Sequence, residues 1–479
     1  MSENMRKYIV IVSLCLSVFL MSCDNYLDLV PKGESVLNTT DDYLGLVESM
    51  TSEFPTDDFW YFSGDATWPY KNEIENYKYP LRSIAFLWDE TEGLRQQHTV
   101  TSELYSKCYS RIANYNIVVE NVNDAEGPLA DKKLAMAQAK AMRAYNYFML
   151  VNTFAKPYVK ETAVTDNGII IHKKFDLENE SKQYSVQEVY DFIMEDLNAA
   201  IPDLPEKPLN EFRPSLAFGW ALKAKVHLYK GELDSALNAG LEVLKSTYHK
   251  LWDMRPMYYD VVAELPFMDF MSTGWDSYAI HPKADPENLL YQFCNNDNGE
   301  PFPFWIRKET LDLFDKQNDL RYKTCISYST PNRPTGESGA RMFGSIQVKW
   351  NCGGMRLSEV YLIVAECYAR LNDPVNAMKY LNEMYKYRVK NGTPELTAAD
   401  ADEALKQVRN ERKRELMFTY NGFFDMRRFS VQLNETFTRT YINEAGETKE
   451  LTLKPGSPLY VWPFPQNAME TSNLIQNTK

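Results

Sequence analysis

The chain has 479 residues, of which 44% are hydrophobic and 25% are charged, an ordinary composition for a globular protein. Its formal net charge of −14 argues against nucleic acid or an anionic lipid surface as a partner, because both are bound through basic patches. Aromatic residues make up 13% of the chain, and the faces of tyrosine and tryptophan suit both core packing and the stacking of sugar rings.

The N-terminus has the features of a secretory signal. Arg6 and Lys7 precede an uncharged apolar run at 8–21. At about 14 residues this run is shorter than the roughly 20 needed to span a bilayer. Cys23 follows, in the position where a bacterial lipoprotein signal carries its acylated cysteine. We therefore expect export and attachment to a membrane surface by a lipid on Cys23, with an ordinary cleaved signal as the alternative.

The other cysteines outside the signal form an odd and sparse set without a C-x-x-C motif, which indicates neither a disulfide framework nor a zinc site. Most are expected to be small buried residues, and one disulfide pair stays open. The set comprises Cys108, Cys294, Cys325, Cys352 and Cys367.

Helical periodicity dominates the body of the chain. Apolar residues three or four apart predict a helix over 131–155, with one apolar stripe. A second helix is predicted over 185–201, where Ser185 and Glu188 form a capping box and Pro202 ends the helix. The stripe of the first helix comprises Leu134, Ala137, Ala141, Tyr145, Phe148 and Val151.

Two later segments read as copies of one helical hairpin. In each, a turn residue (Gly231 or Asn372) precedes a small alanine (Ala236 or Ala377) by five positions. Small residues there let two helices approach closely, as in a tetratricopeptide hairpin. The copies are about 141 residues apart, far from the regular period of about 34 residues, so we expect hairpins embedded in one larger fold.

Residues 54–100 and 250–355 are rich in aromatic residues, Pro, Gly and Asn, and lack long helical stripes. Such long loops are usually functional or disordered, and their aromatic content argues against disorder. Rings flanked by hydrogen-bonding side chains make them candidate ligand-binding segments. The candidate ligand contacts are Trp60, Trp68, Tyr70, Asn72, Arg82, Trp88, Trp275, Tyr278 and Trp305.

Signals for catalysis and cofactors are weak. The chain has no P-loop, G-x-G-x-x-G or H-E-x-x-H motif, and its five histidines are scattered. Acidic and basic residues at 411–415 are interpreted as helix-stabilising pairs one turn apart. The run 295–300 resembles part of a calcium loop but lacks the full EF-hand spacing, so a solvated turn is favoured over a structural calcium ion. We predict no catalytic residue, no cofactor and no metal.

Seven motifs in chain order together resemble the SusD/RagB-like family of outer-membrane nutrient-binding lipoproteins. One departure lies at 419–423, where that family commonly has Glu-Gly-Arg or Glu-Gly-His, and it should change local packing or ion pairing without affecting the fold. The motifs are Cys23-Asp24-Asn25-Tyr26-Leu27-Asp28, Arg111-Ile112-Ala113-Asn114, Arg143-Ala144-Tyr145, Glu188-Val189-Tyr190, Arg356-Leu357 with Glu359, Glu411-Arg412 with Glu415-Leu416, and Trp462-Pro463-Phe464-Pro465 with Gln476-Asn477.

The resemblance implies a mostly α fold, in which tetratricopeptide-like hairpins are embedded among long irregular loops with little β structure. It implies a signal peptide at 1–22 and a single SusD-like body at 23–479, with an N-terminal half (23–215), a C-terminal half (216–479) and hairpins contributed by both. It also implies a surface-exposed, lipid-anchored position on the outer membrane.

In function, the resemblance implies a protein that binds an oligo- or polysaccharide and passes it to a SusC-like, TonB-dependent β-barrel transporter. At least one ring from each aromatic stretch is then expected to contact the glycan. Three alternatives stay open: capture of peptides by the same scaffold, a surface glycosidase, and a tetratricopeptide adaptor that binds only protein.

Overall fold

Helices dominate the described part of the chain and strands occur only in short pairs, so the predicted mostly α fold with helical hairpins is confirmed. The computed structural model describes residues 37–49, 57, 60, 63–64, 67–69, 74, 79–175, 182–257, 285–293, 304–324, 326–328, 340–342, 351–443 and 445–478. The predicted signal peptide, Cys23 and the segment 295–300 lie outside these residues. None of the described helices is both long and apolar enough to cross a membrane.

The main helices are α1 (Thr40–Ser49), α2 (Pro80–Leu87), α3 (Leu94–His98), α4 (Glu103–Asn121), α5 (Leu129–Phe154), α6 (Val186–Ala200), α7 (Leu216–Lys230), α8 (Leu233–Val243), α9 (Lys308–Leu311), α10 (Leu320–Thr324), α11 (Leu357–Arg370), α12 (Pro374–Tyr385), α13 (Ala401–Glu415), α14 (Asn421–Gln432) and α15 (Gln466–Glu470). Short 3₁₀ turns follow at Val122–Asp124, Ile201–Asp203 and Pro458–Tyr460.

The strands described form antiparallel pairs of two. The pairs are β1 (Thr67–Pro69) with β5 (Phe304–Ile306), β2 (Asn167–Ile170) with β3 (Gln183–Ser185), β4 (Asn288–Leu290) with β8 (Met355–Arg356), β6 (Ile326–Tyr328) with β7 (Ala340–Met342), and β9 (Phe437–Ile442) with β10 (Thr448–Leu453). These strand pairs hold loops together. The hydrophobic core lies among the helices, and its residues come from positions between Tyr43 and Leu474 of the chain.

Helix α5 forms the centre of the N-terminal part of the fold. Both predicted helices are present, and α6 has the predicted capping box at its start. The single apolar stripe predicted for α5 was too narrow, because every residue from Ala141 to Phe154 is buried. Polar residues on α5 are therefore paired inside the core. Arg143 donates to the Asp196 carboxylate of α6 and to the Asn116 amide oxygen of α4, each at 2.7 Å.

The predicted hairpins are α7–α8 and α11–α12. Gly231 and Asn372 stand at the turns with φ of 77° and 64°, in the left-handed region. Ala236 and Ala377 are fully buried between the paired helices, as their small size requires. The two hairpins also pack against each other, because α8 lies on α11. They are thus neighbours in space although the chain between them follows no repeat period.

The contact between α8 and α11 depends on a glycine. A Cβ added at Gly240 would lie 2.7 Å from Cγ2 of Val364. We therefore expect Gly240→Ala to lower the free energy of unfolding by about 1–3 kcal/mol, the usual cost of overpacking. At Gly45, on α1, an added Cβ meets no atom within 4 Å. Gly45→Ala should be neutral or stabilising by up to about 1 kcal/mol. Equal effects of the two variants in urea denaturation would contradict this.

A buried arginine–carboxylate network joins α13 to distant loops. At its centre, the Glu415 carboxylate accepts hydrogen bonds from Arg388 and Arg321 at 2.8–3.0 Å and lies 3.2 Å from Arg356. Burial disfavours the charge of Glu415, but these arginines outweigh it and hold its pKa well below the usual range. The members are Asp285, Glu287, Asp319, Arg321, Arg356, Arg388, Glu411, Arg414 and Glu415.

The network revises the interpretation of residues 411–415. The pair Glu411–Arg414 does lie within one helix, as predicted. Glu415 instead pairs across the fold, and Arg412 pairs with Asp425 of α14 at 2.8 Å. These charges stabilise tertiary contacts between α13, α14 and the loops more than they stabilise helix α13 itself.

The departure from the family pattern at 419–423 has a visible consequence. The buried Lys225 ammonium of α7 donates to Glu359 at 2.5 Å, to the Tyr420 hydroxyl at 2.8 Å and to the Asn421 amide oxygen at 2.7 Å. Tyr420 and Asn421 therefore complete the shell of a buried cation that joins α7, α11 and α14.

The cysteines fit the predicted pattern where the structure describes them. Cys108 and Cys367 are buried free thiols, and burial raises the pKa of each to about 12. Cys352 is disulfide-bonded. One pair therefore forms, as the sequence left open.

Asp285 should make the stability of the protein depend on pH. Its burial, and next the charge of Glu287, raise its pKa from 3.8 to about 7 despite nearby Arg356 and Arg388. At pH values between these two pKa values, the native state keeps the proton of Asp285 and the unfolded chain has already lost it. The free energy of unfolding therefore falls as the pH rises from the lower value to the higher one.

From about pH 5 to pH 8, the wild type should lose at least about 1.4 kcal/mol more free energy of unfolding than Asp285→Asn, the equivalent of one pKa unit. Asparagine keeps an acceptor for the Glu287 N–H, which lies 2.9 Å from the carboxylate. Parallel pH profiles of the two proteins in urea denaturation would refute this.

Candidate ligand-binding site

The β1–β5 ladder brings the two predicted aromatic stretches together. Its register places Trp68 directly opposite Trp305, with Thr67 opposite Ile306 and Pro69 opposite Phe304. Directly opposed residues of an antiparallel pair belong to the same face of the ladder. Two of the predicted ligand contacts, more than 200 residues apart in the chain, thus occupy adjacent backbone positions.

Helix α2 packs beside this ladder and adds a polar group to it. The Arg82 guanidinium, a predicted ligand contact, lies 4.3 Å from the ring centroid of Tyr79. Tyr79 is 40% exposed and directly precedes Pro80, which starts the helix. Sequence analysis did not select Tyr79, although its place between an aromatic-rich loop and a helix-starting proline was a usable signal.

Trp60 belongs to the core and not to a ligand surface. Its ring is 2% exposed and makes edge-to-face contacts with Tyr420 and Phe424, at centroid distances of 6.2 and 5.9 Å. A ring that stacks on a sugar needs one open face. The prediction of Trp60 as a ligand contact was therefore wrong for this structure.

The same correction applies to Trp88, which is 6% exposed. It ends α2 in the left-handed region at φ 50°, and its Nε1–H donates to the Ser63 carbonyl at 3.4 Å. The guanidinium of Arg439 covers the ring at 3.7 Å. The rings of Trp60 and Trp88 thus belong to the core on which the segment before β1 packs.

Arg439, on strand β9, fixes the segment that leads into β1. Its Nη2 donates to the carbonyls of Ser63 and Gly64, at 3.2 Å in each case, and its side chain is 2% exposed. Gly64 is needed where it stands, since an added Cβ would lie 3.2 Å from the Trp60 carbonyl. β1 begins three residues later. Nothing in the sequence marked Arg439 for this role.

Other candidates have less structural information. Tyr70, Asn72, Trp275 and Tyr278 lie outside the described residues, and the ladder describes Trp68 and Trp305 by their backbone. Their roles as ligand contacts stay predictions. No cluster of His, Cys, Asp and Glu that could hold a metal ion occurs within the described ranges.

Arg439→Ala should release the loop in front of β1. Both hydrogen bonds come from one nitrogen, Nη2, at 3.2 Å, so we count them as about one charge-assisted bond. We therefore expect the free energy of unfolding to fall by about 1.5–3 kcal/mol. Hydrogen exchange at 79–88 should become faster. The matched control is Arg409→Ala, because the Arg409–Glu435 pair is about a quarter exposed. This control should cost under about 1 kcal/mol. Unchanged exchange in the Arg439 variant would contradict the assignment.

The helical frame and the aromatic ladder define a binding protein built on helical hairpins, with its candidate site in loops at their edge. The family model described as "Starch-binding associating with outer membrane" matches residues 61–228, and the model of the SusD family matches 347–479. The chain belongs to the SusD/RagB-like family, which confirms the resemblance found in its motifs.

Similar proteins span nearly the whole chain. SusD-like protein P2 of Formosa agariphila is 24% identical and covers 90% of this chain and 92% of its own length. A putative sugar binding protein from Bacteroides vulgatus has a solved structure with a TM-score of 0.70, 20% identity and coverage of 93% and 99% of the two chains. A laminarin binding SusD-like protein has a TM-score of 0.63, 19% identity and coverage of 92% and 99%.

Proposed function

We propose that the protein is a cell-surface lipoprotein that binds an oligo- or polysaccharide and delivers it, without cleaving it, to a SusC-like TonB-dependent transporter in the outer membrane. The observation that carries the proposal is the pairing of Trp68 with Trp305 in the β1–β5 ladder. Sugar rings present flat C–H faces that stack on indole rings. Tyr79 and Arg82 beside the ladder supply hydrogen-bonding groups for the sugar hydroxyls.

Membership of this family supports the proposal that the ligand is a glycan. One matching family model is described as starch-binding, and similar solved structures are titled as binding laminarin or surface glycan. The acidic residues that drew attention in the sequence, Glu411 and Glu415, are held in ion pairs inside the fold. Both therefore serve packing in this proposal, and the proposal includes no reaction.

The location rests on three observations. The N-terminal sequence has the form of a lipoprotein signal ending at Cys23. The family model matching the N-terminal half is named for association with the outer membrane. Cys352 is disulfide-bonded, and disulfides persist mainly in oxidising compartments outside the cytoplasm. Acylation of Cys23 would keep the binding surface beside a transporter barrel in the same membrane, where its local concentration is high.

The glycan site is tested with the variants Trp68→Ala and Trp305→Ala. A polysaccharide panel in affinity electrophoresis first identifies a ligand of the wild type, and isothermal titration then measures its affinity. Each variant should bind at least about tenfold more weakly, the effect of losing about 1.4 kcal/mol of stacking. Its thermal midpoint should stay close to that of the wild type.

The control is Trp60→Phe, a core substitution that should lower stability and retain affinity. Unchanged affinity in both ladder variants would remove the β1–β5 ladder as the binding site. Binding of peptides by a protein that retards with no glycan would replace glycan capture with peptide capture.

A further inference from the structure

A cleft of about 700 Å³ lies at the C-terminal tail of the chain, within the range of about 300–1,000 Å³ that is usual for small-molecule sites. We call it the tail cleft. One wall is the loop from Lys156 to Asn167, the second is the turn at 456–461 with the end of α14, and the third is the tail at 475–478. None of its lining residues was predicted as a ligand contact, although Gln476 and Asn477 belong to the last of the family motifs.

A buried arginine holds two of these walls together. Arg427 of α14 is 2% exposed and donates to the carbonyls of Ala155 and Tyr460, one at the base of the first wall and one in the second. Arg95 adds hydrogen bonds to the carbonyls of Pro458 and Val461, at 2.9 and 2.5 Å. Hydrogen bonds from two buried guanidinium groups, those of Arg427 and Arg95, therefore hold the turn at 456–461 in place.

The tail is fixed in a similar way. The Asn477 amide donates to the Phe154 and Gly168 carbonyls, at 2.7 and 2.9 Å, and accepts from Gln183 at 3.1 Å. The Gln476 amide accepts from the backbone N–H of Phe464 at 2.8 Å and donates to the Phe464 carbonyl at 3.1 Å. With all three walls fixed, the tail cleft is formed in advance, so a ligand loses little affinity to the ordering of protein groups.

The polar groups of the tail cleft suit hydroxyl-rich ligands. The Asp166 carboxylate accepts from the Lys156 ammonium at 2.7 Å and from the Thr162 hydroxyl at 2.6 Å. Each carboxylate oxygen keeps a second acceptor site for a ligand hydroxyl. The Lys156 side chain is 58% exposed, so it also has donors available. Because the two charges compensate each other, the cleft favours a neutral ligand.

Apolar surface lies next to these groups. Ile475, in the third wall, is 63% exposed, and Val159 of the first wall also lines the cleft. Pro157 and Pro458 add ring surface to the cleft. Carboxylate, ammonium and hydroxyl groups beside apolar surface match the two sides of a sugar ring, which has hydroxyls at its edge and C–H groups on its faces.

The tail cleft and the segment that leads into β1 lie towards opposite ends of α14. Trp60, in the segment before β1, packs on Tyr420 and Phe424 at the start of this helix. Ser430, at its other end, lines the tail cleft. Asn421 and Ser430 are nine positions apart in this helix, a distance of about 13.5 Å along the axis. A single sugar ring therefore cannot contact both ends of this helix.

We propose that the tail cleft is a second saccharide site, which takes a short neutral oligosaccharide or the end of a polysaccharide chain independently of the β1–β5 ladder. Two sites on one chain would hold a polysaccharide at two points and raise its overall affinity by increasing the local concentration at the second site. The proposal goes beyond glycan capture at the ladder and is tested separately from it.

The test uses the purified full-length protein with maltohexaose and laminarihexaose as probes, in saturation-transfer NMR and isothermal titration. Trp68→Ala should leave a residual binding phase. Adding Lys156→Ala and Asn167→Ala to it should weaken this phase about tenfold, because two hydrogen-bonding groups of the cleft are removed. Lys160→Ala, an exposed residue of the same loop, is the matched control and should leave both phases unchanged.

Three results would overturn the second site. They are loss of all binding in Trp68→Ala alone, a residual phase that survives Lys156→Ala with Asn167→Ala at an unchanged thermal midpoint, and no binding of either probe by any protein. The first result leaves glycan capture at the ladder intact. Conversely, a phase that depends on Lys156 and Asn167 but not on Trp68 supports the tail cleft and counts against the ladder.

Discussion

Buried guanidinium groups hold this fold together. The helices supply the apolar core, but the contacts between α13, α14 and the long segments around them depend on arginine. Removing one partner of such a buried pair leaves an uncompensated charge, which typically costs about 3–5 kcal/mol. Glu415 alone contacts Arg321, Arg356 and Arg388, so one carboxylate fixes three separate stretches of chain to the end of one helix.

A second group of arginines contacts backbone carbonyls. Arg427 bonds to carbonyls after α5 and in the turn at 458–461, Arg95 to that same turn, and Arg439 to the carbonyls of Ser63 and Gly64. Burial lowers the pKa of Arg95 and Arg427 to about 10, so each stays charged at neutral pH. A guanidinium offers five donors in a rigid plane, which lets a single residue bond to carbonyls of several separate segments. Irregular loops can therefore be held in place without regular secondary structure.

The sequence was informative where structure is periodic and local. The α7–α8 and α11–α12 hairpins, the Ser185–Glu188 capping box and the helix α5 all follow from spacing, turn residues and caps that depend on near neighbours in the chain. The burial of all sides of α5 did not follow, because it depends on helices α1, α4 and α6 arriving from elsewhere. For the candidate site, composition selected the two segments that the β1–β5 ladder joins. It could not separate Trp60 and Trp88, which face the core, from positions on the ladder. That difference arises from Arg439, Tyr420 and Phe424, distant residues whose positions no local pattern encodes.

The contact between Gly240 and Val364 has a consequence for how the chain folds. Gly240 of α8 packs on Val364 of α11, and α11 begins at Leu357, over a hundred residues later. Closing such a long loop costs conformational entropy before the contact contributes any stabilisation. Contacts of this kind therefore slow folding. The hairpin α7–α8 is therefore expected to remain incomplete until the C-terminal part of the chain is present. If the chain is exported as proposed, its helical frame would form only when translocation is nearly finished.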